Sequence, residues 1–234
     1  MTKNSAHKKV AIFDVDGTIF RSSLLIEFVE ALITANVFPK ESRHLYELHY
    51  KRWLNRTGSY EEYINAVIEA FMKYLKGTAY EDFDRIGKEV VEANKGKVYR
   101  YTRDLVKKLK RQGYFLLAIS QSPKGMLDVF CKAFGFNKVY GRFYELGESD
   151  RFTGQVVDLN IIANKANVVR RAVAKEKLTL KGSIGVGDTE GDVPMLELVE
   201  TAICFNPNAQ LYRFAKLNKW KVVVERKDVI YEIK

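Results

Sequence analysis

Two carboxylates flank a single valine in the run Phe13-Asp14-Val15-Asp16-Gly17-Thr18, which follows an apolar stretch opening at Val10. Side chains alternate along an extended strand, so Asp14 and Asp16 can face one pocket while Gly17 lets the backbone turn sharply. A nucleophile and its proton-transfer partner need that arrangement, and phosphoryl transfer is the chemistry it suits. Taken alone, the same residues fit a surface Asp-Gly turn. A second acidic pair, Asp188 and Asp192, stands in Gly185-Val186-Gly187-Asp188-Thr189-Glu190-Gly191-Asp192, again at the end of an apolar run. Four acids brought together without a cation would repel one another. A hard ion such as Mg²⁺, held by a few carboxylates while touching a phosphate, resolves that repulsion.

Two further segments supply groups for a phosphate. Leu116-Leu117-Ala118-Ile119-Ser120-Gln121-Ser122-Pro123 reads as a strand entering a helix, with Ser122 as cap and Pro123 in the first position. The Ser120 hydroxyl and the Gln121 N–H then sit at a helix N-terminus, where phosphate oxygens are held well. Lys165 opens a helical pattern continued by Val168, Val169 and Ala172, and can project a cation toward the same place. Gly17, Ser120, Gln121 and Lys165 are therefore the candidate phosphate-binding residues.

Positioning these groups requires strands at 10–14, 114–120, 183–188 and 201–205, with an edge strand at 221–224. Helical patterns separate most of them. The alternation predicts an open, doubly wound α/β core that binds ligands at the carboxyl ends of its strands. From 20 to about 100 the chain is too long for one crossover helix. Leu24, Leu25, Phe28, Val29, Leu32 and Ile33 mark one amphipathic helix there, and Tyr63, Ile64, Val67, Ile68, Phe71, Met72 and Leu75 mark another. Ser59-x-x-Glu62 and Thr78-x-x-Glu81 resemble capping boxes, and Gly58 and Gly77 fit the ends of preceding helices. These signals predict a core over 1–19 and 97–234, with a cap of about four helices over 20–96. The aromatic stripe of this insertion reads as packing. A hairpin flap is expected from 140–146 and 152–158.

At 234 residues with 47% hydrophobic content, the chain is long enough for a packed core plus an insertion. No stretch of about eighteen uncharged apolar residues is present and no leader pattern follows the basic N-terminus, so a cytoplasmic protein without a membrane span is expected. Cys131 and Cys204 lie in apolar surroundings without CxxC spacing, as buried free thiols do. A net charge of +10 attracts anions without choosing among them. Nucleic-acid signatures are missing and the basic residues scatter over helices, so no nucleic-acid partner is expected. His7, His44 and His49 have no metal-ligand spacing. Oligomeric state is not encoded in any of these features.

The ordered set Asp-x-Asp-Gly-Thr, Ser120, Lys165 and Gly-Asp-x-x-x-Asp resembles the phosphatases of the haloacid dehalogenase superfamily, close to the phosphoserine phosphatase-like branch with a helical cap. The likeness covers nearly the whole chain, including Asn206-Pro207, Leu211, Ala215 and Trp220. It implies that Asp14 attacks phosphorus to give an aspartyl-phosphate, and that Asp16 protonates the leaving alcohol and then activates water. It also implies that Ser120 and Lys165 stabilise the phosphoryl group. Mg²⁺ would be held by Asp14, the main-chain carbonyl of Asp16 and Asp188, with Asp192 orienting or completing its shell. The pattern departs at Arg21-Ser22-Ser23-Leu24, where phosphoserine phosphatases carry a substrate-binding Glu, and Glu27 substitutes only if the cap path differs. It departs again at Gln121-Ser122-Pro123 and at Gly191. The expected activity is therefore Mg²⁺-dependent hydrolysis of a small phosphorylated metabolite other than phosphoserine. A phosphotransferase of the same fold and a non-enzymatic phospho-acceptor or phospholigand module are the alternatives. Which of Arg21, Arg52, Trp53 and Arg56 reaches the pocket is left open.

Overall fold

The computed structural model describes residues 7–157 and 164–233. Strands β1 (Lys8–Phe13), β2 (Phe115–Pro123), β3 (Lys138–Leu146), β4 (Phe152–Val157), β5 (Leu178–Gly187), β6 (Thr201–Phe205), β7 (Lys221–Arg226) and β8 (Val229–Ile233) form one sheet in the order β4-β3-β2-β1-β5-β6-β7-β8. The six inner strands run parallel, while β4 and β8 lie antiparallel at the two edges. From β1 the chain crosses to β2 on one side and later to β5 on the other. The carboxyl end of β1 is thus a topological switch point, the place where open α/β sheets bind ligands.

Period-two alternation divides the core between the two faces. Ala11, Phe13, Leu116, Ala118, Val186, Ile203 and Phe205 share one apolar cluster, and Val10, Ile12, Leu117, Ile119, Ala202 and Cys204 share the other. Helices α1 (Leu24–Thr34), α2 (Glu47–Leu54), α3 (Tyr60–Leu75) and α4 (Tyr80–Asn94) lie between β1 and β2 in the chain, with a 3-10 turn at Lys40–Leu45 between α1 and α2. Then come α5 (Arg100–Arg111), α6 (Lys124–Phe134), α7 (Lys165–Lys175), the short α8 (Val193–Leu196) and α9 (Ala209–Asn218). The chain leaves and re-enters the core side by side, with Arg21 N–H donating to the Lys97 carbonyl at 2.9 Å and Tyr99 N–H to the Ile19 carbonyl at 3.0 Å. Phe28, Phe71 and Phe83 of the insertion belong to the same apolar cluster as Phe13 and Phe20. Among the described residues no helix is long and apolar enough to cross a membrane. Cys131 and Cys204 are buried and free.

Several local expectations change once tertiary partners are present. The strand at 221–224 is not an edge, because β8 pairs outside it. The expected hairpin forms from β3 and β4, but it is continuous with the main sheet, because β3 first pairs parallel with β2, at Leu117 with Lys138, before turning antiparallel to β4. The expected hairpin end at Asp158 lies outside the described residues. Pairing of Pro123 with Arg142 extends β2 through Pro123, so α6 starts at Lys124 and Ser122 caps nothing. The Ser59 and Glu62 capping box forms as expected. Thr78 instead donates to the Tyr74 carbonyl at 3.1 Å, and Ala79 precedes α4. The cause is β4: Gly77 N–H donates to the Phe152 carbonyl and Phe152 N–H to that of Thr78, which ties the α3–α4 turn to the hairpin.

Candidate active site

β1 ends at Phe13, and Asp14 N–H still donates to the Val186 carbonyl at 2.9 Å, which holds it to β5. The Val15 carbonyl then accepts from the N–H groups of Thr18, Ile19 and Phe20, winding the chain tightly back on itself. Gly17 takes φ +78°, and a Cβ there would stand 2.1 Å from Asp188 Oδ2. Only glycine meets both demands. Gly17→Ala is expected to destabilise the fold by about 1–3 kcal/mol through backbone strain. It should also lower kcat by about 100-fold by displacing Asp188. Thermal melts and steady-state rates check this, and a wild-type rate would remove Gly17 from the site.

The two acids of the first motif border one cavity of about 260 Å³ but have different partners. Asp14 Oδ1 accepts from Lys165 Nζ at 2.5 Å. Among the described residues, Asp14 Oδ2 is buried with no hydrogen-bond partner. Asp16 Oδ1 accepts from Leu24 N–H at 2.6 Å, capping the start of α1, whose own Ser23 makes no side-chain cap. Asp16 Oδ2 accepts from the hydroxyls of Ser120 at 2.5 Å and Ser122 at 2.9 Å. Ser122 is thus a site residue that its Ser-Pro context hid.

Lys165 is the first residue of α7, whose N-terminus Asn164 caps by accepting from Ala166 N–H at 2.9 Å. Its buried ammonium bridges Asp14 and Asp192, at 2.5 Å to each. Asp192 Oδ2 in turn accepts from the N–H groups of Asp188 and Thr189 at 2.9 and 3.1 Å. Asp192 therefore fixes both the lysine and the loop that carries Asp188. Thr18 Oγ1 donates to Asp188 Oδ1 at 3.2 Å, tying the end of the Asp-x-Asp-Gly-Thr run to the Asp188 loop. Gln121 also borders the cavity, but its side chain is exposed and accepts from Arg142, a wall residue contributed by β3.

Carboxylate oxygens of Asp14, Asp188 and Asp192 lie within 4.8 Å of one another. One ammonium against three carboxylates leaves two negative charges uncompensated, the charge of a divalent cation. Burial pushes the Asp14 carboxyl up to about 7, opposed by Lys165 and aided by Asp192 and Asp16. Burial, then the charges of Asp14 and Asp192, hold Asp188 well above the usual carboxylate range. Burial works to discharge Lys165, yet Asp14 and Asp192 outweigh it and raise its pKa. The unpartnered Asp14 Oδ2 and the excess negative charge together fit an oxygen-seeking cation. The Asp16 carboxylate is not part of this cluster among the described residues.

The family model for haloacid dehalogenase-like hydrolases matches residues 11–197, from β1 to the residue after α8, and so takes in every polar group described above. The chain belongs to this family. A phosphoserine phosphatase of Mycobacterium tuberculosis is 26% identical over 91% of this haloacid dehalogenase-like chain and 69% of its own length. A histidinol-phosphatase of Neisseria meningitidis is 24% identical over 92% of this chain and 98% of its own. A solved protein of unknown function from Bordetella pertussis superposes with a TM-score of 0.73 at 20% identity, covering 93% of this chain and 98% of that one. The expected family, its phosphoserine phosphatase-like branch and the α/β fold are borne out, and with them a phosphatase enzyme. A non-enzymatic phospho-acceptor is accordingly set aside.

Proposed function

We propose that this haloacid dehalogenase-like enzyme is a Mg²⁺-dependent phosphomonoester phosphatase that works through an aspartyl-phosphate on Asp14, with a small phosphorylated metabolite other than phosphoserine as substrate. The observation that carries the proposal is Asp14 itself, with one oxygen fixed by Lys165 and the other unpartnered at the wall of the cavity it shares with Asp16, Ser120 and Asp188. Mg²⁺ would be held by Asp14, Asp188 and the main-chain carbonyl of Asp16, while Asp192 acts as the residue that positions Lys165. When bound, the ion supplies charge neutralisation and a hold on one phosphate oxygen.

Asp14 forms the new O–P bond as the P–O bond to the substrate alcohol breaks, and Asp16 gives that oxygen its proton. Asp16 then takes a proton from water, whose oxygen attacks the same phosphorus, releasing inorganic phosphate and regenerating Asp14. Lys165, Ser120 and the Gln121 N–H neutralise or bind the transferring group. Ser120 and Ser122 both donate to Asp16 Oδ2, so a phosphate oxygen that takes over the Ser120 hydroxyl removes one of its two donors and leaves Ser122 to orient it toward the leaving oxygen. Gly17 leaves room for this chemistry beside Asp188. The stretch 20–96 serves as the cap that selects the alcohol. The Glu of phosphoserine phosphatases has no counterpart at Arg21 to Leu24, and Glu27 is spent on Lys97 at 2.5 Å, which supports a different alcohol.

Phosphate release from glycerol 2-phosphate and para-nitrophenyl phosphate should require Mg²⁺ and stop on chelation. Turnover unaffected by a chelator would defeat the metal assignment, and phosphate passed to an added alcohol instead of water would turn the enzyme into a phosphotransferase. Ser120→Ala is expected to lower kcat by about 100-fold, the usual effect of removing one donor to a developing charge. Ser122→Ala, which leaves Ser120 in place, should cost less.

A further inference from the structure

A second cavity, of about 850 Å³, opens beside the catalytic one, between the helices of the 20–96 stretch and the Asp188 loop. Tyr60, Asp188, Thr189 and Asn208 border both, so a molecule anchored by its phosphate at Asp14 reaches the larger space past Tyr60. Five rings wall it. Trp53 stacks on Tyr63 with centroids 5.6 Å apart and planes at 16°, Tyr50 lies 5.2 Å from Tyr63, and Tyr60 meets Trp53 edge-on at 5.5 Å. Tyr46 and Tyr63 are buried beneath, but Tyr50 is 39% exposed and Trp53 and Tyr60 are half-buried. The aromatics marked by helical spacing, Phe28, Tyr63 and Phe71, are buried as packing, and the open face belongs to Tyr50, Trp53 and Tyr60.

Charge decides what that face accepts. Aromatic walls with carboxylates ordinarily receive an ammonium, and Glu27 and Glu30 do border the cavity. Both are already spent, Glu27 on Lys97 and Glu30 on Arg43 at 2.8 Å and on the Tyr46 hydroxyl. The two arginines on the wall are not. Arg21 lies over the Tyr99 ring at 5.7 Å, and among the described residues neither Arg21 nor Arg56 has a carboxylate within ion-pair distance. Arg52, one turn before Arg56, is paired with Glu62 at 3.8 Å and does not border the cavity. Arg56 holds a left-handed φ of +61°, set by the turn that ends α2, a conformation uncommon for a long side chain.

We propose that this cleft receives the alcohol part of the substrate, and that the substrate is a phosphomonoester whose alcohol carries a planar ring and a second anionic group. The ring stacks on the Trp53 and Tyr60 side of the cleft, and the anion meets Arg21 and Arg56. This assignment rests on the phosphatase reading of the catalytic cavity, and on it a compact amino-acid phosphate would leave the cleft unfilled.

Binding to the Asp14→Asn protein, followed by calorimetry with Mg²⁺ present, tests it without turnover. The probes are adenosine 3′,5′-bisphosphate, which has a planar base and two phosphates, glycerol 2-phosphate, which has neither ring nor second anion, and choline phosphate, which has a cation. The bisphosphate is expected to bind about tenfold or more tighter than glycerol 2-phosphate, the scale of one stacked base. Trp53→Leu and Arg56→Ala should each cut that preference by about tenfold, while Arg52→Ala leaves it unchanged. Equal affinity for the first two probes, tighter binding of choline phosphate, or a preference that survives both variants would overturn the assignment. Hydrolysis of glycerol 2-phosphate by the wild-type enzyme reports separately on the catalytic reading, so either can fail while the other stands.

Discussion

Asp14→Asn is expected to abolish phosphatase turnover, by about 10⁴-fold or more, while leaving the fold intact. Loss of a covalent nucleophile removes the whole two-step route, and effects of that size are typical when one member of a catalytic unit is lost. The fold tolerates the change for an electrostatic reason. Asp14 is one of three carboxylates facing a single ammonium, and it lies in a site where burial already penalises its charge. Neutralising it relieves repulsion on Asp188 and Asp192, and an amide oxygen can still accept from Lys165. The melting temperature without Mg²⁺ should therefore stay level or rise. Acid-quenched wild-type enzyme mixed with substrate should carry one phosphoryl group in its intact mass, and the variant should carry none. Phosphorylation of the variant, or turnover within tenfold of wild type, would move the nucleophile elsewhere.

Much of this site could be read before any coordinates because its polar groups sit where strands end. Asp14, Ser120 and Asp188 each follow an apolar run of period-two strand, and three parallel strands that adjoin in the sheet must bring such residues together. Lys165 was legible from its place at a helix start, although nothing local shows that its ammonium would lie between Asp14 and Asp192. Ser122 and Thr78 show the limit. Each carries a sound local cap signal, and each loses it to a strand pairing from far along the chain, Arg142 on β3 in one case and Phe152 on β4 in the other. Trp53 was a candidate for the pocket, but the open face it shares with Tyr50 and Tyr60 was not legible, for a related reason. Helical periodicity marks aromatic positions but does not say whether the opposing surface closes on them or leaves a cleft.

Lys165→Met is the variant expected to damage both folding and catalysis. Its ammonium is nearly sealed from water and is the group that offsets Asp14 and Asp192, so its removal leaves buried carboxylates facing one another. Breaking a buried pair by deleting one partner costs about 3–5 kcal/mol, more than deleting the pair together. Lys165→Met combined with Asp192→Asn should accordingly recover part of the stability lost by Lys165→Met alone. Mg²⁺ should also raise the melting temperature of Lys165→Met, because a ligand bound only by the folded state stabilises it, by about 2.7 kcal/mol at one hundred times its dissociation constant. Activity should return under neither condition. In the proposed mechanism the lysine does more than balance charge: it fixes Asp14 Oδ1, leaving the other oxygen unpartnered, and it would meet the transferring phosphoryl group. Lys165→Arg should fail too, since a planar guanidinium cannot occupy a point held at 2.5 Å from two carboxylates without moving Asp14. A Lys165→Met protein that melts like wild type in chelator, or that regains its rate with Mg²⁺, would show that the three acids are not coupled through this side chain.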